Sequence, residues 1–396
     1  MMRGDKKVRI GLCGAGFAGR FHANGIQRVC CVDAAIEVLC DPNIEVAREV
    51  ASKYAIPHVC QDFNELLCDK SINVIDICAP TAMHHTMIEA ALAAGKHVIC
   101  EKPLSGYFGE PGDPPFVGGV SKKHMYESVI ERLRCLRDTV KKSGLLFMYA
   151  ENWIYAPAVA KTAEILRMSK DKIMLMKADE SHSGAHTRLA DEWKNSGGGA
   201  LLRQGCHPLS AVLFLKRTEN AARGEKYSVA DVYGDVGYAL MNLVGQDRGA
   251  VVAQPKDVED TGVMHITFGD GTKAAVFASD AVTGGIRNKV EVNTTKGNMY
   301  CNICQNDSLV VYAANDEMLK DVYVTGNIET KSGYQYVMLD EEWFRGQVHE
   351  FQDFTECVAL GREPLSNIDI AYETSQLIYA AYMSAEAGRK LDLSKL

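Results

Sequence analysis

The sequence predicts an α/β protein in two parts: a doubly wound parallel sheet over residues 1–150, then an α+β domain over 151–396 with a large, mostly antiparallel open sheet. Three observations predict it. The first 150 residues alternate short β-rich runs with helical ones, as parallel strands covered on both faces by helices do. Beyond about residue 155 the texture changes to β-rich segments separated by turn residues. The length of 396 residues, 47% hydrophobic and 24% charged, suits two or three domains with sizeable cores.

In chain order, VRIGLCG reads as strand, FAGRFHANGIQRV as helix, AIEVLCD as strand and NIEVAREVASKYA as helix. INVIDICAP and HVICEKP are further strands around the helix HHTMIEAALAAG, which Gly95 closes. Between Gly106 and Gly119, eight of fourteen residues are Gly or Pro, so this stretch is a loop. A loop of that length inside a compact domain is uncommon without a use. Starting just after a strand end, it is placed to cover a substrate or meet a neighbouring subunit. Helical periodicity resumes in MYESVIERLRCLRDTVKKSG, with Val129, Leu133 and Leu136 on one face, and LLFMYAEN gives one more strand. The second part opens with the helix PAVAKTAEILRMS and continues through β-rich segments, with GDG at 269–271 marking a hairpin. It ends in the helices HEFQDFTECVALG and IAYETSQLIYAAYMSAEAG, the last able to pack back on the first domain.

Composition excludes several classes of function. A formal net charge of -8 repels phosphate backbones, so a nucleic-acid binder is not expected. No apolar run approaches the length of a membrane span, and the start, MMRGDKKVRIGLCG, has no apolar export signal. Thirteen scattered cysteines fit free thiols in a reducing compartment, so a cytoplasmic protein is expected.

The chemistry begins at Gly14-Ala-Gly16-Phe17-Ala18-Gly19, which follows a strand and opens a helix. Gly14 permits the tight turn, Gly16 lets backbone approach a pyrophosphate, and Gly19 lets helix pack on strand, while the helix N-terminus supplies N–H groups to the phosphates. Asp41 closes the next strand 22 residues beyond Gly19, where a carboxylate accepts the ribose hydroxyls of NAD and repels a 2′-phosphate. NAD is therefore the expected cofactor. Ala79-Pro80-Thr81 and Glu101-Lys102-Pro103 end two more strands of the same sheet, at the edge where open α/β sheets bind ligands. His84 and His85 open a helix beside the cofactor, in a capping or packing role rather than a catalytic one.

The combination GAGFAGRFH, CDPN, APTAMHH, CEKPL, GGGALLRQGCH and AYMSAEAGRKL resembles the Gfo/Idh/MocA family of oxidoreductases across nearly the whole chain. The resemblance implies a Rossmann domain, a C-terminal domain whose open sheet serves oligomerisation (a homodimer or homotetramer), and hydride transfer between a nicotinamide and a sugar or polyol carbon. It also implies that Lys102 hydrogen-bonds the reacting hydroxyl and that His207 is the general base. One departure stands out: the family's acid-x-G-x-H pattern has Arg203 at the acid position, with Gly205 and His207 retained. A guanidinium there cannot act as a base. It could hold His207 and Lys102 less protonated, recognise a substrate carboxylate, or pair structurally with Asp191, Glu192 or Glu180.

Further candidates for substrate contact are Trp153, Tyr155 and Trp193 as stacking platforms for a pyranose ring, and His182 and His186 as hydrogen-bonding groups. No metal is expected: Gly184 argues against a helix presenting the two histidines together, and Cys301-Asn-Ile-Cys304 is a lone C-x-x-C. The resulting expectation is an NAD-dependent dehydrogenase that oxidises a secondary hydroxyl of a small carbohydrate. Its rivals are an enzyme that oxidises a glycoside transiently and eliminates the aglycone, and a catalytically silent NAD-binding sensor.

Overall fold

The computed structural model describes residues 7–185, 187–243, 245–304 and 307–396. The chain forms two compact units that interleave along the sequence. One comprises Met1–Ser105, Ile130–Tyr155 and Gly346–Glu373; the other comprises Gly106–Val129, Ala156–Arg345 and Thr374–Leu396. No helix among the described residues is long and apolar enough to cross a membrane.

The elements run β1 (Val8–Cys13), α1 (Phe17–Gln27), β2 (Ala34–Cys40), α2 (Ile44–Lys53), β3 (His58–Cys60), α3 (Phe63–Cys68), β4 (Val74–Ile77), α4 (His84–Ala93), β5 (His97–Glu101), α5 (Lys122–Ser143) and β6 (Phe147–Ala150). There follow α6 (Pro157–Ser169), β7 (Ile173–Ser181), α7 (Trp193–Ser196), α8 (Ala200–Arg203), α9 (Cys206–Arg223), β8 (Val229–Gly237), β9 (Thr261–Phe268), β10 (Lys273–Ser279), β11 (Arg287–Thr294) and β12 (Asn298–Asn302). The chain closes with β13 (Val310–Ala313), β14 (Gly333–Tyr336), α10 (Glu341–Arg345), α11 (Gln347–Leu360), α12 (Ile368–Ala387) and β15 (Leu391–Asp392).

In the first unit six parallel strands lie in the order β3-β2-β1-β4-β5-β6. The order reverses between β1 and β4, and that switch point is where such sheets open a crevice for a ligand. All four residues of β4 are buried, as expected of a strand covered on both faces. Asn43 starts α2 by accepting the N–H groups of Glu45 and Val46, a cap contributing about 1 kcal/mol. Late in the chain, α11 returns to this unit and packs on α1, where a Cβ on Gly25 would stand 2.4 Å from the Phe351 ring. Only glycine admits that ring.

The second unit is built on a seven-stranded sheet, β12-β11-β7-β10-β9-β8-β15, antiparallel except for the β7–β10 pair. The β9–β10 hairpin turns at Gly271, with φ at +85°, as the GDG signal predicts. Helix α12 crosses β8 so closely that a Cβ on Gly234 would meet the Ala381 carbonyl at 2.2 Å.

The Gly/Pro-rich stretch is a loop, as its composition dictates, and it belongs to the second unit. Tyr107 is fully buried, its N–H donates to the Tyr379 hydroxyl at 2.6 Å, and the Gly118 N–H donates to Asp257 at 2.9 Å. Phe116 is 61% exposed.

Candidate active site

The turn after β1 has the shape that a dinucleotide needs. Gly14 has φ at +107°, and a Cβ there would stand 2.6 Å from the Cys78 carbonyl; at Gly19 it would stand 1.9 Å from the Gly14 carbonyl. Nothing lies within 4 Å of the Cβ position on Gly16, so that face is open. No side chain caps α1, and a helix cannot satisfy its own first N–H groups, those of Phe17, Ala18 and Gly19. Asp41 accepts the Ala15 N–H at 2.8 Å through one oxygen and the Asn43 N–H at 2.8 Å through the other. Each oxygen keeps a further lone pair, so the same carboxylate that pins the glycine turn can receive ribose hydroxyls. The donors, the open face and the acid all fit NAD.

At the ends of β4 and β5, His84 is buried and bonds the Ala79 carbonyl at 2.9 Å and the Pro103 carbonyl at 3.1 Å. Its ring ties two strand ends together and supports Ala79-Pro80-Thr81 from behind. His85 is turned to Glu89 at 3.4 Å. Lys102 follows β5, its main-chain N–H donating to Glu101 at 2.8 Å. The other Glu101 oxygen lies 3.1 Å from His22 Nε2, so this carboxylate is engaged inside the unit. Burial works to raise the Glu101 carboxyl, and the His22 contact outweighs it, holding the group at about 2.

In the second unit, α9 carries a buried His207 in its first turn, behind the glycine turn that leads into α8. Arg203, the last residue of α8, pairs with Asp280 just beyond β10, and Gln204 donates its amide to the same carboxylate. The three acids expected as structural partners are engaged elsewhere. Glu180 faces Arg345 at 3.8 Å, Asp191 faces Arg188 at 3.5 Å, and Glu192 holds Lys194 and Lys256 at 2.7 and 2.6 Å. The pairing reading holds with a different acid. Beneath this segment the buried Glu259 accepts the N–H groups of Gly199 and Leu201, both at 2.9 Å, and the Tyr382 hydroxyl at 2.7 Å. Burial pushes the Glu259 carboxyl up to about 7 against those hydrogen bonds.

Residues 8–110 match the family described as "Oxidoreductase family, NAD-binding Rossmann fold", and residues 172–300 match the "GFO/IDH/MocA C-terminal domain". The chain belongs to the Gfo/Idh/MocA family. It is an NAD-dependent oxidoreductase. Among curated Gfo/Idh/MocA relatives, it is 25% identical over 328 residues to a levoglucosan dehydrogenase of Pseudarthrobacter phenanthrenivorans, covering 79% of this chain and 78% of that protein. It is 22% identical over 392 residues to a myo-inositol 2-dehydrogenase of Thermotoga maritima, covering 98% and 99%. The fold is shared with the crystal structure of GenD2 from gentamicin A biosynthesis in complex with NAD, at TM-score 0.78 and 22% identity over 99% of this chain and 97% of that one.

Within this Gfo/Idh/MocA chain the aromatic candidates for sugar stacking are corrected by their packing. Trp153 and Trp193 are fully buried. The Lys122 ammonium lies over the Trp193 ring, 4.5 Å from its centroid, and the Tyr382 ring packs 5.1 Å away. Tyr155 is 5% exposed, donates to Asp353 at 2.8 Å and accepts the Ser366 N–H at 2.9 Å. These rings are packed as framework. His182 is also buried, its Nδ1 accepting the Gly184 N–H at 2.9 Å, and His186 lies outside the described residues. Cys301 contacts Thr162 at 3.3 Å and, like Cys304, is a free buried thiol.

Sequence reasoning missed His22, Asp76, Glu259 and Asp280. For Asp76 a signal existed: an acid inside the otherwise apolar strand INVIDICAP has to find a buried partner.

Proposed function

We propose that this enzyme oxidises a secondary hydroxyl of a sugar, polyol or glycoside, producing a ketone, NADH and a proton. NAD, when bound, accepts the hydride. Lys102 hydrogen-bonds the hydroxyl oxygen, and His207 removes its proton, the roles implied by the EKP and G-x-H motifs. The observation that carries this reading is the position of Lys102: it directly follows β5 of the sheet whose switch point bears the NAD turn, and its main-chain N–H donates to Glu101. The relatives that act on levoglucosan and myo-inositol support a small polyhydroxylated substrate. We also infer a homodimer or homotetramer, which light scattering checks.

The test is NADH formation by the purified protein across a panel of monosaccharides, inositols, glycosides and uronates. A substrate that accumulates NADH supports the dehydrogenase. Glycoside cleavage without NADH accumulation would replace it with transient oxidation and elimination.

A further inference from the structure

The first unit contains a buried charge cluster that hydride transfer does not itself require. His22, on α1, is 2% exposed, and its Nδ1 lies 2.9 Å from both oxygens of the fully buried Asp76 on β4. Its Nε2 lies 3.1 Å from Glu101 at the end of β5, and the second Glu101 oxygen accepts the Lys102 N–H at 2.8 Å. The Cys78 thiol stands 3.2 Å from Nδ1, and the Phe351 ring packs edge-on at 4.7 Å. Burial opposes a charge on His22, and Asp76 more than offsets it, so the imidazole is held well above its ordinary pKa. Burial pushes the nearby Glu350 carboxyl well above its ordinary range. Both ring nitrogens are thus committed to carboxylates, which leaves no basic site for carrying a proton and makes the role geometric.

We propose that His22 is a positioning residue: bridging Asp76 and Glu101, it fixes the Glu101 carboxylate and through it the main chain of Lys102. The helix that receives the cofactor's phosphates and the strand end that carries the reactive lysine are thereby set as one piece. The inference rests on Lys102 acting on the substrate hydroxyl. Misplacing a reacting group by about 1 Å costs on the order of 10²-fold in rate, so loosening this bridge is expected to show in kcat.

The experiment uses the full chain and the first panel substrate that the unaltered enzyme oxidises, with His22→Gln, Glu101→Gln, their double variant and Lys102→Ala. Glu101→Gln keeps the His22–Asp76 pair and serves if His22→Gln fails to fold. The expected result is a fall in kcat of about tenfold or more in each single variant, with the double no worse than either, because both break one bridge. KM and the NADH dissociation constant, read by NADH fluorescence, stay within about threefold, a split that general loosening of the fold would not give. Wild-type kcat in Glu101→Gln or His22→Gln, additive losses, or losses that track NADH affinity overturn the positioning role while Lys102→Ala remains slow. A fast Lys102→Ala, or no oxidised substrate, removes the reading of Lys102 and this inference with it.

Discussion

Arg203 and Asp280 form a largely buried ion pair inside the second unit, and Gln204 adds its amide to the same carboxylate. The side chains are 16% and 4% exposed, so the pair is largely withdrawn from water. Burial raises the Asp280 carboxyl above its ordinary value even against the pull of Arg203. At the position where an acid was expected, this chain therefore has a cation with its own acid brought from the end of β10.

Arg203→Asp sets two carboxylates against each other and is expected to cost about 3–5 kcal/mol, the scale for stranding one member of a buried pair. The exchanged pair Arg203→Asp with Asp280→Arg is expected to recover most of that loss in urea unfolding. Because the guanidinium is committed to Asp280, Arg203→Asp is expected to raise KM for uronates and neutral sugars alike. A rise confined to uronates would restore the carboxylate-recognition reading.

Asp41→Ala removes the acceptor that holds the Ala15 N–H and that is proposed to receive the ribose hydroxyls. NADH affinity is expected to fall about 10-fold or more, since hydrogen bonds to a charged group contribute about 1.5–3 kcal/mol each. Affinity for NADPH is expected to fall less, because a repulsive charge goes as well. Fluorescence titration with both cofactors checks the ratio; an unaltered protein that already prefers NADPH would contradict the role given to Asp41.

Glu259 gives the fold a pH signature. Its folded pKa of about 7 lies above the ordinary carboxyl value, with burial the largest cause, so the folded state favours the protonated form. Stability from this group is full below about pH 4.5 and declines as pH rises towards about 7, by roughly 3 kcal/mol in all. Glu259→Gln lacks this dependence. Relative to that variant, the unaltered protein is expected to lose stability between pH 5 and pH 8 in urea melts; a constant difference would mean that Glu259 stays ionised.

The Gly106–Gly119 loop is tied to the second unit at both ends, by Tyr107 to Tyr379 and by Gly118 to Asp257, and Asp257 also accepts the Trp193 N–H at 2.7 Å. Tyr379→Phe removes the hydroxyl that accepts the Tyr107 N–H and donates to the Gly197 carbonyl at the mouth of the glycine turn. A loss of about 1–3 kcal/mol is expected, because two buried main-chain groups lose a partner. Unchanged stability would show that the loop holds by its side chains alone.

The first unit was legible because its signals are local: alternating strand and helix patterns, a glycine turn, and an acid at the right distance. The second was less so. Helix α9 escapes a periodicity reading because thirteen of its eighteen residues are buried, so the sequence presents no continuous polar stripe. Asp280 could not be matched to Arg203, from which it is separated by 77 residues that run through α9, β8, β9 and β10. Trp153 and Trp193 read as stacking platforms, yet they are large enough to be worth more in the core than at a surface. His22 stood within a quoted motif but showed its partners only once β4 and β5 were laid beside β1.

Lys102 is expected to act on the substrate and not on the cofactor. The measurement is the rate of NADH formation by Lys102→Ala at saturating NAD and polyol, beside its NADH dissociation constant. A fall of about 10²-fold or more in kcat is expected, with NADH affinity nearly unchanged. Turnover equal to that of the unaltered protein would contradict it and reduce Lys102 to a strand-end charge.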